Sequence, residues 1–203
     1  MYLSKIKLDF SQEHVKKCLR NCQLMHTTIM HLFGCSRKDA GVLYRIDWQG
    51  RCLYIISRHM PDNRVLFPGF TFLNMSNIDH FVQLFAEGVV FNFDVLVSPC
   101  KQVRLEGCKT SKKRFIIRSK DRMQWFYSRS ERFGFEIIQC DEQLKTVFYG
   151  KHDADSGTFY YPSVRFFGVL RIVDAELFTK SFCSGIGPGK SYGLGMFLLK
   201  KPF

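Results

Sequence analysis

The twelve residues Ser184-Gly185-Ile186-Gly187-Pro188-Gly189-Lys190-Ser191-Tyr192-Gly193-Leu194-Gly195 constrain this chain more than any other stretch. Five of its 15 glycines fall here. Glycine permits positive φ and close backbone approach, so such a run can turn main-chain N–H groups toward an anion, phosphate first. Two familiar nucleotide loops are excluded by spacing. A Walker loop ending in Gly189-Lys190-Ser191 needs glycine where Ser184 stands. A dinucleotide fingerprint begun at Gly185 or Gly187 needs glycine where Lys190 or Tyr192 stands. The flanks also run the wrong way. Asp174 to Cys183 reads as a helix before the loop and Gly193 to Leu199 as a strand after it, whereas both nucleotide motifs pass from strand to helix. A plain glycine-rich helix-to-strand connection is the competing reading.

Upstream, Tyr2 to Phe10 alternates apolar and polar residues and reads as a half-buried strand. Ser11 is the expected N-cap of a helix running to about Phe33, with Glu13 in its first turn and Gly34 as its stop. The apolar stripe of that helix is Val15, Leu19, Cys22, Ile29 and Phe33. His26 falls on the stripe and His31 opposite, so periodicity alone makes His26 a core histidine and His31 a solvated or structural one. Gly41 to Asp47 and Arg51 to Ser57 flank a turn at Trp48-Gln49-Gly50. Met60 to Asn74 is irregular, with room for a short or degenerate helix, and Ile78 to Phe85 reads as a strand closing a β-α-β-β-α-β unit. After Glu87-Gly88 the pattern repeats. It has a strand at Val89 to Val97, a helix at Ser119 to Arg132, strands at Phe133 to Gln139 and Thr146 to Tyr149, and a polar loop at Lys151 to Ser163. A strand at Arg165 to Val173, a helix, the glycine run and a last strand complete it. The fold class is α+β: two tandem ferredoxin-like units, residues 1–87 and 88–203, ending in a glycine-rich loop.

A net charge of +12 calls for a polyanionic partner, nucleic acid before an anionic membrane surface. No segment approaches the ~18 apolar residues of a membrane span, and the N-terminus lacks a signal peptide's apolar core; a cytoplasmic protein without membrane attachment is expected. The charge is concentrated. Lys101, Arg104, Lys109, Lys112, Lys113, Arg114, Arg118, Lys120 and Arg122 face only Glu106 and Asp121 between positions 101 and 122. A solvated surface usually mixes its signs, so this block is read as phosphate-binding. Trp125 and Tyr127 follow it, as base-stacking or core residues. The 21 phenylalanines are likewise a β-rich core or a stacking surface. The eight cysteines contain no CxxC pair and read as reduced thiols. Cys18, Cys22 and His26 recur at i, i+4, i+8, but a zinc site would need a fourth ligand such as Cys35, and buried thiols are commoner. The 18 acids are scattered, so neither a metal nor another cofactor is expected. A ribonuclease without metal would use the RNA's own 2′-hydroxyl as nucleophile, with histidine moving protons and lysine or backbone N–H groups holding the charge on phosphate.

Three segments carry a family resemblance. Ser184 to Gly195 with its following strand resembles the C-terminal glycine-rich signature of CRISPR repeat-processing proteins, the CasE-type endoribonucleases of type I-E systems in particular. Met1-Tyr2-Leu3-Ser4-Lys5 is similar to that family's opening strand, and His26-Thr27-Thr28-Ile29-Met30-His31-Leu32-Phe33 to its histidine-containing segment. Residues from about 35 to 160 are weakly matched. The resemblance implies cleavage within the stem-loop of CRISPR repeat RNA, leaving a 2′,3′-cyclic phosphate and a 5′-hydroxyl. It also implies retention of the product for other subunits of a Cascade-like complex. It puts His26 in the catalytic position, as acid or base, and Gly187, Gly189, Lys190 and Ser191 at phosphate, with Lys151 and His152 as lesser candidates. One departure is Gln23, where the family commonly has tyrosine; glutamine orients groups but is no base near neutral pH. The alternatives are a non-catalytic RNA-binding subunit of the same fold, a nucleotide-handling enzyme, and a basic interaction protein without chemistry.

Overall fold

The computed structural model describes residues 1–65, 67–104, 112–152, 155 and 157–202. Strand β1 (Tyr2–Leu8) keeps the expected alternation, with Ser4, Ile6 and Leu8 buried. The long helix expected next is two helices, α1 (Glu13–Arg20) and α2 (Cys22–Met30). Asn21 breaks them apart at φ −135°, ψ 102°, and its side chain accepts bonds from the Gln23 and Leu24 N–H groups. A short amide competes in this way with the helical ladder and caps a new helix. Ser11 is not the cap of α1; its hydroxyl donates to Asp9, and Gln12 holds the cap position. A short helix α3 (Arg37–Ala40) follows, capped by Ser36 and ended by Gly41 at φ 61°. Strands β2 (Leu43–Asp47) and β3 (Cys52–Ser57) form the expected hairpin.

The fourth strand is β4 (Phe70–Asn77), not Ile78 to Phe85. Asn77 turns the chain by accepting the Asp79 N–H at 2.8 Å, and α4 (Asp79–Val82) begins there. The spacing of Phe81 and Phe85 is the helical one. It sets the two rings edge to face (5.6 Å) and places Phe85 against Phe91, Phe178 and Phe182. The sheet order is β2-β3-β1-β4, antiparallel throughout. This is a ferredoxin-like sheet in which irregular backbone replaces the second crossover helix.

The same order recurs with β10-β5-β9-β8. The second unit runs β5 (Val90–Val97), a separate two-stranded ribbon of β6 (Cys100–Val103) and β7 (Lys112–Phe115), α5 (Ser119–Ser130), β8 (Phe135–Gly150), β9 (Phe159–Ile172), α6 (Ala175–Ser184) and β10 (Phe197–Lys200). The two strands expected between 133 and 149 are one. Strand β8 pairs with β9 along its length and absorbs irregularities between Ile137 and Gln139 and between Leu144 and Val147. Strand β9 accordingly starts at Phe159, inside the expected loop, while the last strand starts at Phe197 rather than Gly193.

The phenylalanines are mainly core. Phe91, Phe126, Phe135, Phe166 and Phe178 have no exposed surface, and Phe126 stacks on Phe166 at 4.4 Å. Leu43 and Ile56 of the first sheet pack into this second core. Across the same seam Arg45 of β2 pairs with Asp94 of β5 at 2.7 Å, and Arg165 of β9 completes the triad at 2.6 Å. The two units are therefore joined by packing and by charge, and the ends of α2 and of the glycine run meet beside that joint.

Candidate active site

The glycine run is a folded object. Its ends are pinned where Ile186 donates to the Gly195 carbonyl at 3.0 Å and Gly195 donates to Leu96 of β5 at 2.7 Å. Between them Lys190–Tyr192 form a 3₁₀ turn closed by the Tyr192 N–H on the Gly189 carbonyl. Only glycine fits at 195: φ is +84°, and an added Cβ would lie 2.3 Å from the Ile186 carbonyl oxygen. The N–H groups of Ile186, Tyr192 and Gly195 thus hold the loop's own shape. Buried Ile186 and Leu194 anchor it from below.

Helix α2 packs against this turn. His26 meets Tyr192 edge-on, with ring centroids 6.2 Å apart and planes at 79°. Tyr192 is held from β9 by Phe159 (4.9 Å) and Tyr161 (5.6 Å). One helical turn before His26, Cys22 lies in a small buried cluster with Leu96, Phe148 and Leu194. His26 is half-buried, and its Nδ1 is enclosed with no hydrogen-bond partner among the described residues. His26 is thus packed on one side like a core residue while it stands at the seam between the two units.

Two cations act in this region. Lys190 donates to the Gly185 carbonyl at 3.2 Å. Arg37, in α3, has no carboxylate partner among the described residues. Burial, and then the Arg37 charge, hold both the His26 imidazole and the Lys190 ammonium below their ordinary values. Both effects favour the neutral imidazole, and the Arg37 charge acts on His26 and Lys190 alike. The nearby Tyr44 hydroxyl is fully buried with no hydrogen-bond partner among the described residues, and burial raises its pKa. Arg37 was not foreseen. No local signal says that its charge acts on His26.

The other sequence candidates sort as follows. Gln23 is half-buried near the start of α2, its N–H held by Asn21 and its carbonyl bonded by Thr27. Asn21 also accepts the Lys151 N–H at 3.4 Å, and the His152 ring packs on Phe159 at 4.9 Å, so the loop after β8 is tied to the same aromatic group. Ser191, Gly187 and Gly189 are half-exposed in the run. Exposed Lys101, Arg104, Lys112, Lys113 and Arg114 lie on or beside the β6–β7 ribbon, with Lys101 directly opposite Arg114. Like charges in facing positions destabilise a ribbon until an anion covers them. Arg118 and Lys120 are exposed at the start of α5. Lys109 lies outside the described residues.

Arg122 is a correction. It is 4% exposed, its Nε and Nη2 donate to Glu142 at 3.1 and 2.6 Å, and its Nη1 donates to the Ile117 carbonyl. Its charge is already matched inside the fold and it cannot serve phosphate. Trp125 is core as well, its indole donating to the Cys100 carbonyl at 3.1 Å, whereas Tyr127 is 43% exposed. Trp125 also underlies Gly187, where an added Cβ would lie 3.6 Å from the indole. The base of the ribbon and the glycine run thus share one support. Burial pushes the Cys18 and Cys22 thiols up, Cys22 to about 12, while Cys35 is exposed. No three His, Cys, Asp or Glu side chains among the described residues stand together as a cation site. No helix among them is long and apolar enough to cross a membrane.

A family model described as CRISPR associated protein matches residues 1–201. Among solved structures the chain is similar to the CRISPR endoribonuclease Cse3 bound to a 19-nucleotide RNA, at TM-score 0.84 and 22% identity over 98% of this chain and 100% of that one. It is similar to the CRISPR-associated protein Cas6e from Escherichia coli K-12, at 0.75 and 23% over 100% of both chains. It is also similar to a chain of a CRISPR RNA-guided surveillance complex, at 0.75 and 22% over 100% of both. No curated protein matches it in sequence. At these identities the structural likeness speaks for the fold.

Proposed function

The chain belongs to the CRISPR associated protein family, and from that premise we propose that it is a metal-independent endoribonuclease that cuts precursor CRISPR RNA within the repeat stem-loop. One observation carries the reading: half-buried His26 stands edge-on to Tyr192, in the turn of the glycine run that also holds Lys190, and the Arg37 charge acts on both His26 and Lys190. The RNA 2′-oxygen attacks the adjacent phosphorus and the 5′-oxygen leaves, giving a 2′,3′-cyclic phosphate and a 5′-hydroxyl. His26, neutral at pH 7, takes the 2′-hydroxyl proton. Arg37 and Lys190 stabilise charge on the phosphorane, with Gly187, Gly189 and Ser191 lining the phosphate path. Gln23 orients a neighbouring group and transfers no proton.

The β6–β7 ribbon and the start of α5 grip the stem through its phosphates, since duplex RNA is recognised mostly by shape and backbone. Residues 1–87 and 88–203 act as the two units whose seam forms the site. The similarity to Cse3 bound to RNA, and to a chain of an RNA-guided surveillance complex, supports a cytoplasmic protein that keeps its product and carries it into a Cascade-like assembly. Gln23 favours a second reading, an RNA-binding subunit that does not cut.

The test is cleavage of a labelled repeat stem-loop in EDTA. Wild type is expected to make a single cut that is lost in His26→Ala and on substituting 2′-deoxyribose at the scissile position. Tight binding without a cut would select the second reading, and no binding at low salt would refute both.

A further inference from the structure

We infer that Tyr192 is the second proton-transfer residue of this site, giving its phenolic proton to the departing 5′-oxygen. The inference rests on the ribonuclease reading above and deepens it. Two protons must move in the reaction and His26 accounts for one. The neighbours of His26 leave few sources for the other. Tyr44 is 1% exposed and Cys22 5%, so neither reaches a substrate, and the Gln23 amide does not titrate. Arg37 and Lys190 serve better by staying charged at phosphate.

Tyr192 is half-exposed, edge-on to His26, and clamped by Phe159 and Tyr161. Its turn is closed at both ends by glycines with positive φ, Gly189 (80°) and Gly193 (85°), so the ring is held by backbone as well as by packing. Burial, with Tyr161 and Cys22 nearby, pushes the phenol up and keeps the proton on it at neutral pH.

The step balances. The bond from the 2′-oxygen to phosphorus forms as the bond from phosphorus to the 5′-oxygen breaks. The 2′-hydroxyl proton goes to His26 and the Tyr192 proton to the 5′-oxygen. Imidazolium and phenolate then exchange one proton, which restores both residues with no co-reactant.

The experiment compares wild type, Tyr192→Phe and His26→Ala in single-turnover cleavage of two stem-loops, one natural and one with sulfur replacing the bridging 5′-oxygen at the cut. A thiolate leaves without an acid. Tyr192→Phe is expected to cut the natural RNA about 10²–10⁴-fold more slowly, at unchanged affinity, and to cut the sulfur-bridged RNA at nearly the wild-type rate. His26→Ala stays slow on both. A Tyr192→Phe enzyme that cuts natural RNA as fast as wild type, or that is slowed equally on both substrates, overturns the assignment. Wild type cutting neither RNA refutes the nuclease reading itself.

Discussion

Replacing Arg122 by methionine separates a structural arginine from an RNA-binding one. The substitution keeps most of the side-chain volume but leaves the Glu142 carboxylate, 13% exposed, without the two bonds it accepts. Removing one partner of a buried pair costs about 3–5 kcal/mol, because the remaining charge stays desolvated. At a urea slope of about 2 kcal/mol/M that is a midpoint shift of about 1.5–2.5 M. Replacing Glu142 by leucine in the same chain should recover most of the loss. Acid should narrow the gap. Burial pushes the Glu142 carboxyl up, yet its bonds from Arg122 and Ser119 bring it below its usual value. The stabilisation is therefore complete above the unfolded carboxylate pKa and is lost as pH falls through the lower folded one. Urea melts at pH 7 and pH 3, with stem-loop binding across a salt series, make the assay. An Arg122→Met protein of wild-type stability whose salt dependence had dropped by one phosphate contact would refute the argument.

The exposed ribbon should behave in the opposite way. Lys113→Gln is expected to leave the melt unchanged and to lower the slope of log affinity against log salt by about 0.7–0.9. Gly195→Ala, forced into positive φ against the Ile186 carbonyl, should cost at least about 1–3 kcal/mol and slow cleavage, by moving Lys190 and Tyr192 together. Arg37→Gln should lower the plateau rate and raise the acid limb of the pH–rate profile toward about 6.5, the ordinary imidazole value, since removing a nearby cation makes the imidazolium easier to form. A limb that stays in place would mean that burial alone sets the His26 pKa.

These predictions divide along the line between local and distant information. Alternation placed β1, and the helix read over Asp174 to Cys183 is α6 within a residue at each end, because such signals lie within a few residues. Apolar periodicity hid the break at Asn21, since the stripe continues across it from Val15 to Ile29 on two helices instead of one. Asp141-Glu142-Gln143 fell between two expected strands, yet β8 continues through them, and Arg122, twenty residues earlier, supplies a partner for the Glu142 carboxylate there. That same pairing removed Arg122 from the basic surface. His26 was legible only as a position in a stripe and as part of a family-like segment. Arg37 was not legible, because its charge acts through space on His26 and on Lys190 of the glycine run.

The two sheets have the same strand order, and the site uses non-equivalent parts of them. The first unit contributes α2 and α3, from the crossover after its opening strand. The second contributes the connection between its last helix and last strand. Neither set is sufficient: α2 and α3 bring an imidazole and a guanidinium, while the glycine run brings an ammonium and a phenol. What holds them in register is the small apolar contact of Cys22 with Leu96, Phe148 and Leu194, reinforced by the Arg45–Asp94–Arg165 triad across the seam. Loosening that contact would leave both sheets paired and the basic ribbon intact, so stem-loop binding would survive while cleavage failed. On the proposed reading, seam packing would act on catalysis through the distance between His26 and the glycine run, a distance that the fold of each unit alone does not set.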